Sequence, residues 1–186
     1  MKILQDVWEF FKHPLYTTED YNTKEKIRLF FKLVLITVGF SLALGFLMEG
    51  ITSLVDFNYD NHAVLEMFEQ YSPVFIFFVA VIIAPVLEEL FFRAPLALFK
   101  NSNYFKYAFY ISVITFGLIH ISNFGDIDGF YWLIPILVAP QVFAGIFLGY
   151  IRTKLGLVWS ILLHAAHNLI LVGPFIVMKM LDIPFE

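Results

Sequence analysis

The 186-residue chain contains no cysteine. That excludes disulfides, thiolate metal sites and a cysteine nucleophile. It is also poor in charge, with Asp, Glu, Lys and Arg making up 15% of the residues, against about 25% in average globular proteins. No basic patch or nucleic-acid motif is present, so no nucleic-acid partner is expected. The first thirty residues are charged and aromatic, without a short apolar core and a small-residue cleavage site, so no cleavable signal peptide is expected. No internal repeat is found. What the chain has in abundance is apolar surface: 60% of it is hydrophobic, and Phe alone occurs 23 times. A water-soluble domain of this composition could not cover its exterior. The expectation is therefore one all-α domain, a polytopic transmembrane helical bundle in contact with membrane lipid.

Runs of about 20 apolar residues are long enough to cross a bilayer. Five occur, at roughly 29–48, 73–99, 107–121, 130–151 and 157–180. The third is short and extends back toward Tyr104; Pro135 and Pro140 interrupt the fourth. Residues 1–28 form an N-terminal arm in which Trp8, Phe10, Phe11, Leu15 and Tyr16 alternate with charges, with Pro14 as a break. Both an interfacial amphipathic helix and a loosely ordered arm fit that pattern. Residues 29–186 form the transmembrane domain. Basic residues fix its orientation. Lys2, Lys12, Lys24, Lys26, Arg28 and Lys32 precede or open the first span, Lys100 and Lys106 follow the second, and Arg152 and Lys154 follow the fourth. The opposite connections carry Asp56, Asp60, Glu66, Glu69, Asp126 and Asp128, with Lys179 the lone base. A five-span chain with a cytoplasmic N-terminus accounts for this distribution; losing one span would scramble it.

Ionisable groups inside hydrocarbon cost about 2.5–3.5 kcal/mol each on insertion scales and mark functional sites. Glu88, Glu89 and Arg93 lie in the second half of span two. Glu89 and Arg93 are four residues apart and share a helical face, while Glu88 points about 100° away. Arg93 is thus expected to neutralise and orient Glu89, leaving Glu88 free to act as a base. Span three carries Phe116-Gly-Leu-Ile-His120, and span five carries His164-Ala-Ala-His167-Asn168. Considered alone, His120 reads as a hydrogen-bonded packing residue and the span-five set as a polar helix contact. The latter lacks the interior glutamate of His-Glu-x-x-His zinc proteases. Together, two carboxylates, three imidazoles and an amide on three spans of a small bundle exceed what packing needs. One difficulty is depth. Counted from the span ends at about 1.5 Å per residue, His120 lies several ångströms deeper than Glu88 unless tilt or a break at Pro85 compensates.

The set Glu88-Glu89-x-x-x-Arg93, Phe116-x-x-x-His120 and His164-x-x-x-Asn168 resembles the CPBP family, the intramembrane CAAX-protease and bacteriocin-processing (Abi) endopeptidases related to the Ras-converting CAAX enzymes. The resemblance covers roughly residues 73–175, a four-span catalytic core. It implies an endopeptidase in which Glu88 and His120 activate water, His164 and Asn168 stabilise the oxyanion, and Glu89 and Arg93 support them. His167 lies outside the motif. The family is labelled both glutamic and metallo-peptidase. The sequence fits either, since Glu88, His120 and His164 would make a two-imidazole, one-carboxylate Zn2+ set.

The alternative reading is a non-proteolytic immunity or scaffold protein of the same fold; a third is a small ion or proton transporter. The complete motif set favours the protease. Its expected substrate is a membrane-associated peptide or protein: a pheromone or bacteriocin precursor, or a membrane-protein tail. No eukaryotic feature accompanies the motifs, so a bacterial inner (plasma) membrane is expected and prenylated substrates are not.

Overall fold

A computed structural model describes residues 2–55, 57, 62–125 and 127–183. Asp56, Asp60 and Asp126 of the charge pattern lie outside the described residues. Among those residues the chain is helical, with no strand. Four helical segments are long and apolar enough to span a membrane, or five if a helix pair bent by 41° counts as one span, as in an integral membrane protein.

The N-terminal arm begins with helix α1, Lys2–Lys12, which stops before Pro14 because proline cannot continue a helix. The amphipathic alternative is the one realised, but this helix also docks on the bundle. Val7 and Phe10 are buried, and Phe10 meets the rings of Phe109 and Tyr150 edge-on at 5.0 and 5.4 Å.

Helix α2, Thr23–Leu54, extends six residues beyond the expected span at either end. Its start is set by a capping box: the Asn22 side chain accepts from Glu25 N, and Glu25 returns a bond to Asn22 N. At about 48 Å it exceeds the roughly 30 Å hydrocarbon core, so its Lys24–Lys32 turns project past the membrane. The boundary placed between residues 28 and 29 therefore falls inside a helix, and the arm ends near residue 22.

A short helix, α3 (Ala63–Gln70), precedes span two. That span comprises α4 (Pro73–Phe77), a π-helical stretch Phe78–Ile83, α5 (Ala84–Phe92) and a 3-10 stretch Ala94–Phe99. Span three is α6 (Phe105–Ile119), which tightens into a 3-10 turn over His120–Phe124. Span four joins a 3-10 turn Tyr131–Leu133 and α7 (Ile134–Leu137) to α8 (Ala139–Leu155); Pro135 and Pro140 sit at the helix starts. Gly156, at φ 98°, makes the turn into α9 (Leu157–Met180), a conformation that a side chain disfavours.

One end of the bundle gathers the arm and the basic connections. Arg152 donates from Nε to the Arg93 carbonyl (3.1 Å) and from Nη1 to Tyr16 Oη (2.7 Å). Lys154 pairs with Glu19, and Lys100 lies over the Tyr16 ring at 5.7 Å. At the other end Lys179 donates to the Phe68 carbonyl of α3. The segments that the charge pattern assigned to one side do share one end.

Candidate active site

Span two is not a regular helix where it approaches the site. The Ala84 N–H bonds back five residues to Val79, the mark of a π turn. The Ala80 carbonyl thereby loses Ala84 as its four-residue partner. The next residue in a five-residue register is Pro85, which has no N–H. Ala80 instead accepts from Asn168 Nδ2 on α9 at 2.9 Å. The break expected at Pro85 is therefore a π stretch just ahead of it. It rotates the glutamates that follow and ties them to span five.

Glu89 and Arg93 are completely buried and lie 3.4 Å apart, Oε1 to Nη1. The Arg93 guanidinium stacks 3.9 Å above the Phe116 ring, a contact strengthened by desolvation. Gly145 makes room for this stack: a Cβ there would stand 3.2 Å from Nη2 and 3.3 Å from Phe116 Cδ1. Glu89 also accepts from the Ser160 hydroxyl through Oε2, and its Oε1 lies 3.1 Å from His164 Nδ1. The other nitrogen of His164, Nε2, is 3.6 Å from Glu88 Oε2. One imidazole thus bridges adjacent glutamates that face different ways. The division read from spacing holds: Glu89 belongs to Arg93, whereas Glu88 is partly exposed and its Oε2 has no hydrogen-bond partner among the described residues.

His120 sits where α6 passes into its 3-10 turn, and its Nδ1 is 2.7 Å from the Phe116 carbonyl. A carbonyl only accepts, so Nδ1 carries the hydrogen and Nε2 keeps a lone pair in the neutral ring. Phe116 also meets the rings of His120 (4.9 Å) and His164 (5.6 Å) edge-on. This phenylalanine is the common wall of Arg93 and both histidines, which gives its place in the motif a physical reason.

A cavity of about 420 Å³ is lined by Glu88, His120, His164, His167 and Asn168. Glu89 and Arg93 lie behind its wall. Three residues not singled out from the sequence line it too. Ser41 of α2 lies 2.9 Å from His167 Nε2, Gln141 offers an Oε1 with no partner among the described residues, and His62 caps α3. Ser160 was likewise missed. Only its placement four residues before His164, on the same helical face, hinted at a role. Glu88, His120 and His164 share the cavity. Among the described residues no three His, Asp or Glu side chains are gathered to hold a metal ion, and no step below runs through one.

The arrangement offers a carboxylate and an unprotonated imidazole nitrogen beside a partly open cavity, with an amide and an imidazole on another helix. That is equipment for activating water and receiving an oxyanion. Comparison with known proteins points the same way. Residues 70–170 match the family model described as Type II CAAX prenyl endopeptidase Rce1-like. No curated protein and no solved structure matches the chain. The matched segment exceeds half of the sequence and holds every motif residue from Glu88 to Asn168; this chain belongs to the type II CAAX prenyl endopeptidase Rce1-like family.

Proposed function

We propose that this protein is an intramembrane endopeptidase that hydrolyses a peptide bond of a membrane-associated peptide or protein. The observation that carries the reading is the single cavity shared by Glu88, His120, His164 and Asn168, with Glu88 Oε2 unpartnered beside it. Water between Glu88 and the free nitrogen of His120 gives a proton to Glu88 as its oxygen attacks the scissile carbonyl carbon. The carbonyl oxygen becomes an oxyanion and accepts from Asn168, and from His164 Nε2 when that ring carries hydrogen on both nitrogens, its Nδ1–H being engaged by Glu89. As the C–N bond breaks, the proton held by Glu88 passes to the leaving amine, so one water is consumed and two termini are released. Glu89, held by Arg93 and Ser160, fixes the ring of His164. Gln141 Oε1 is placed to accept from a substrate backbone N–H. The gathering of the arm and basic connections at one end supports a cytoplasmic N-terminus in a bacterial plasma membrane.

The test uses the full chain in liposomes with three quenched fluorescent peptides of one sequence: unmodified, N-palmitoylated, and ending in a farnesylated cysteine tetrapeptide. Cleavage of at least one is expected, the palmitoylated and unmodified forms reporting a substrate that needs no prenyl group. Glu88→Gln and His120→Ala should abolish cleavage while leaving insertion and melting unchanged. Wild-type rates in either variant refute the assigned roles. Chelator should leave the rate unaltered and the purified protein should carry no stoichiometric zinc; the opposite pair of results assigns Glu88, His120 and His164 as ligands. A wild-type protein that binds all three peptides and cuts none is a scaffold.

A further inference from the structure

Of the cavity residues outside the motifs, Ser41 and His167 contact each other, and Ser41 also stands outside the matched segment. Ser41 is on α2, a span that the sequence placed beyond the catalytic core. Its Oγ lies 2.9 Å from His167 Nε2, and His167 Nδ1 lies 3.3 Å from Asn168 Oδ1. Asn168 Nδ2 lies 2.9 Å from the Ala80 carbonyl.

The direction of every bond in this chain is forced from its far end. Ala80 presents a carbonyl, which only accepts, so Asn168 must offer it the amide nitrogen. The amide oxygen then faces His167 and must accept, so Nδ1 of His167 carries the hydrogen. In the neutral ring Nε2 is left with its lone pair, and Ser41 donates to it. The relay runs Ser41 to His167 to Asn168 to Ala80 in one sense. Asn168 is thereby gripped at both ends of its amide and cannot flip. One of its two N–H groups is engaged by Ala80, and the second is left for the cavity.

We propose that Ser41 and His167 are positioning residues of this site, holding the Asn168 amide so that its second N–H, and not its oxygen, meets the oxyanion. The proposal rests on the reading of Asn168 as an oxyanion donor. Without His167 the amide is held at its nitrogen alone, by the Ala80 carbonyl, and its oxygen is free to swing toward the cavity. A rotated Asn168 would present an acceptor to a developing negative charge. Span one is then a working part of the site, although the family segment begins after it.

The alternative is a plain interhelical polar contact, a small stabilising interaction in a membrane bundle. Such a contact changes stability, with no selective effect on turnover. The full-length protein in liposomes, with whichever quenched peptide the wild type cleaves, separates the two. His167→Leu should lower kcat about a hundredfold, the loss of one oxyanion donor, with KM unchanged. Ser41→Ala should lower it about tenfold, a part of that loss. Ser41→Thr keeps a hydroxyl, and His167→Asn keeps a donor near the position of Nδ1; both should restore most of the rate. His167→Leu combined with Asn168→Ala should be no slower than Asn168→Ala alone.

The inference is overturned if Asn168→Ala is slow while His167→Leu and Ser41→Ala turn over normally. It is overturned equally if the His167 and Asn168 effects multiply, or if kcat falls only in step with the melting temperature. If Asn168→Ala itself cleaves at the wild-type rate, the oxyanion reading fails and takes the inference with it.

Discussion

Replacing Arg93 with methionine removes the guanidinium and retains most of the side-chain length. Arg93 and Glu89 expose no side-chain surface, so the Glu89 carboxylate would be left inside the bundle without its counter-charge. Deleting one partner of a buried pair costs about 3–5 kcal/mol, and losing the stack on Phe116 adds up to about 2 kcal/mol. For a chain of this size each kcal/mol is worth about 2–4 °C, so Arg93→Met should melt roughly 6–28 °C below the wild type. Pairing it with Glu89→Gln removes the stranded charge, and the amide still meets Ser160 and His164. The double variant should therefore recover most of the lost stability, because a neutral buried pair is often as stable as an ionic one. It should remain inactive, since His164 loses the carboxylate that orients it. Thermal unfolding in detergent micelles, followed by tryptophan fluorescence, measures the first result, and liposome cleavage the second. A single variant melting within about 2 °C of wild type, or a double variant whose loss equals the sum of the two singles, would refute the account of a coupled buried pair.

Pro85→Ala supplies an N–H that competes with Asn168 for the Ala80 carbonyl; kcat should fall about tenfold, part of the loss of one oxyanion donor, with KM held, and a normal kcat would show that the π stretch is incidental to Asn168. Gly149→Ala places a Cβ 2.6 Å from Cε2 of the fully buried Phe109. That should cost about 1–3 kcal/mol, read as a lower melting temperature that Phe109→Leu in the same chain partly restores. Glu19 is held below its ordinary value of 4.5 by its hydrogen bond to Lys154. A depressed carboxylate contributes stability that is present above its unfolded value and lost as pH falls through the folded one. Hydrogen-exchange protection factors across residues 13–22, taken relative to the intrinsic rate at each pH, should accordingly fall as the pH drops below 4.5, and Lys154→Ala should show that lower protection already at neutral pH. An arm equally protected in both conditions is anchored by its apolar contacts alone.

The sequence by itself determined the spans, because twenty-residue apolar runs admit no other stable home and helical spacing settles which residues of one helix share a face. For the same reason it paired Glu89 with Arg93 and set Glu88 apart. It offered tilt or a break at Pro85 as ways to bring Glu88 level with His120; the structure has a π stretch over Phe78–Ile83, just ahead of that proline. The sequence did not settle where α2 ends, since a helix continues into water past the apolar run that reveals it. The tertiary structure alone decided which faces of different helices meet. Ser41 and Gln141 are ordinary polar residues in their own helices, and nothing in their spacing separates them from Ser112 or Thr115, whose hydroxyls bond backbone carbonyls; Ser160 differs only in lying four residues before His164. They join the site because α2 and α8 pack against α9, and α9 packs against the second span. The role of Phe116 emerged in the same way, from one ring touching Arg93, His120 and His164 across three helices. Periodicity is a property of one helix at a time, whereas the cavity is made by the distances between helices.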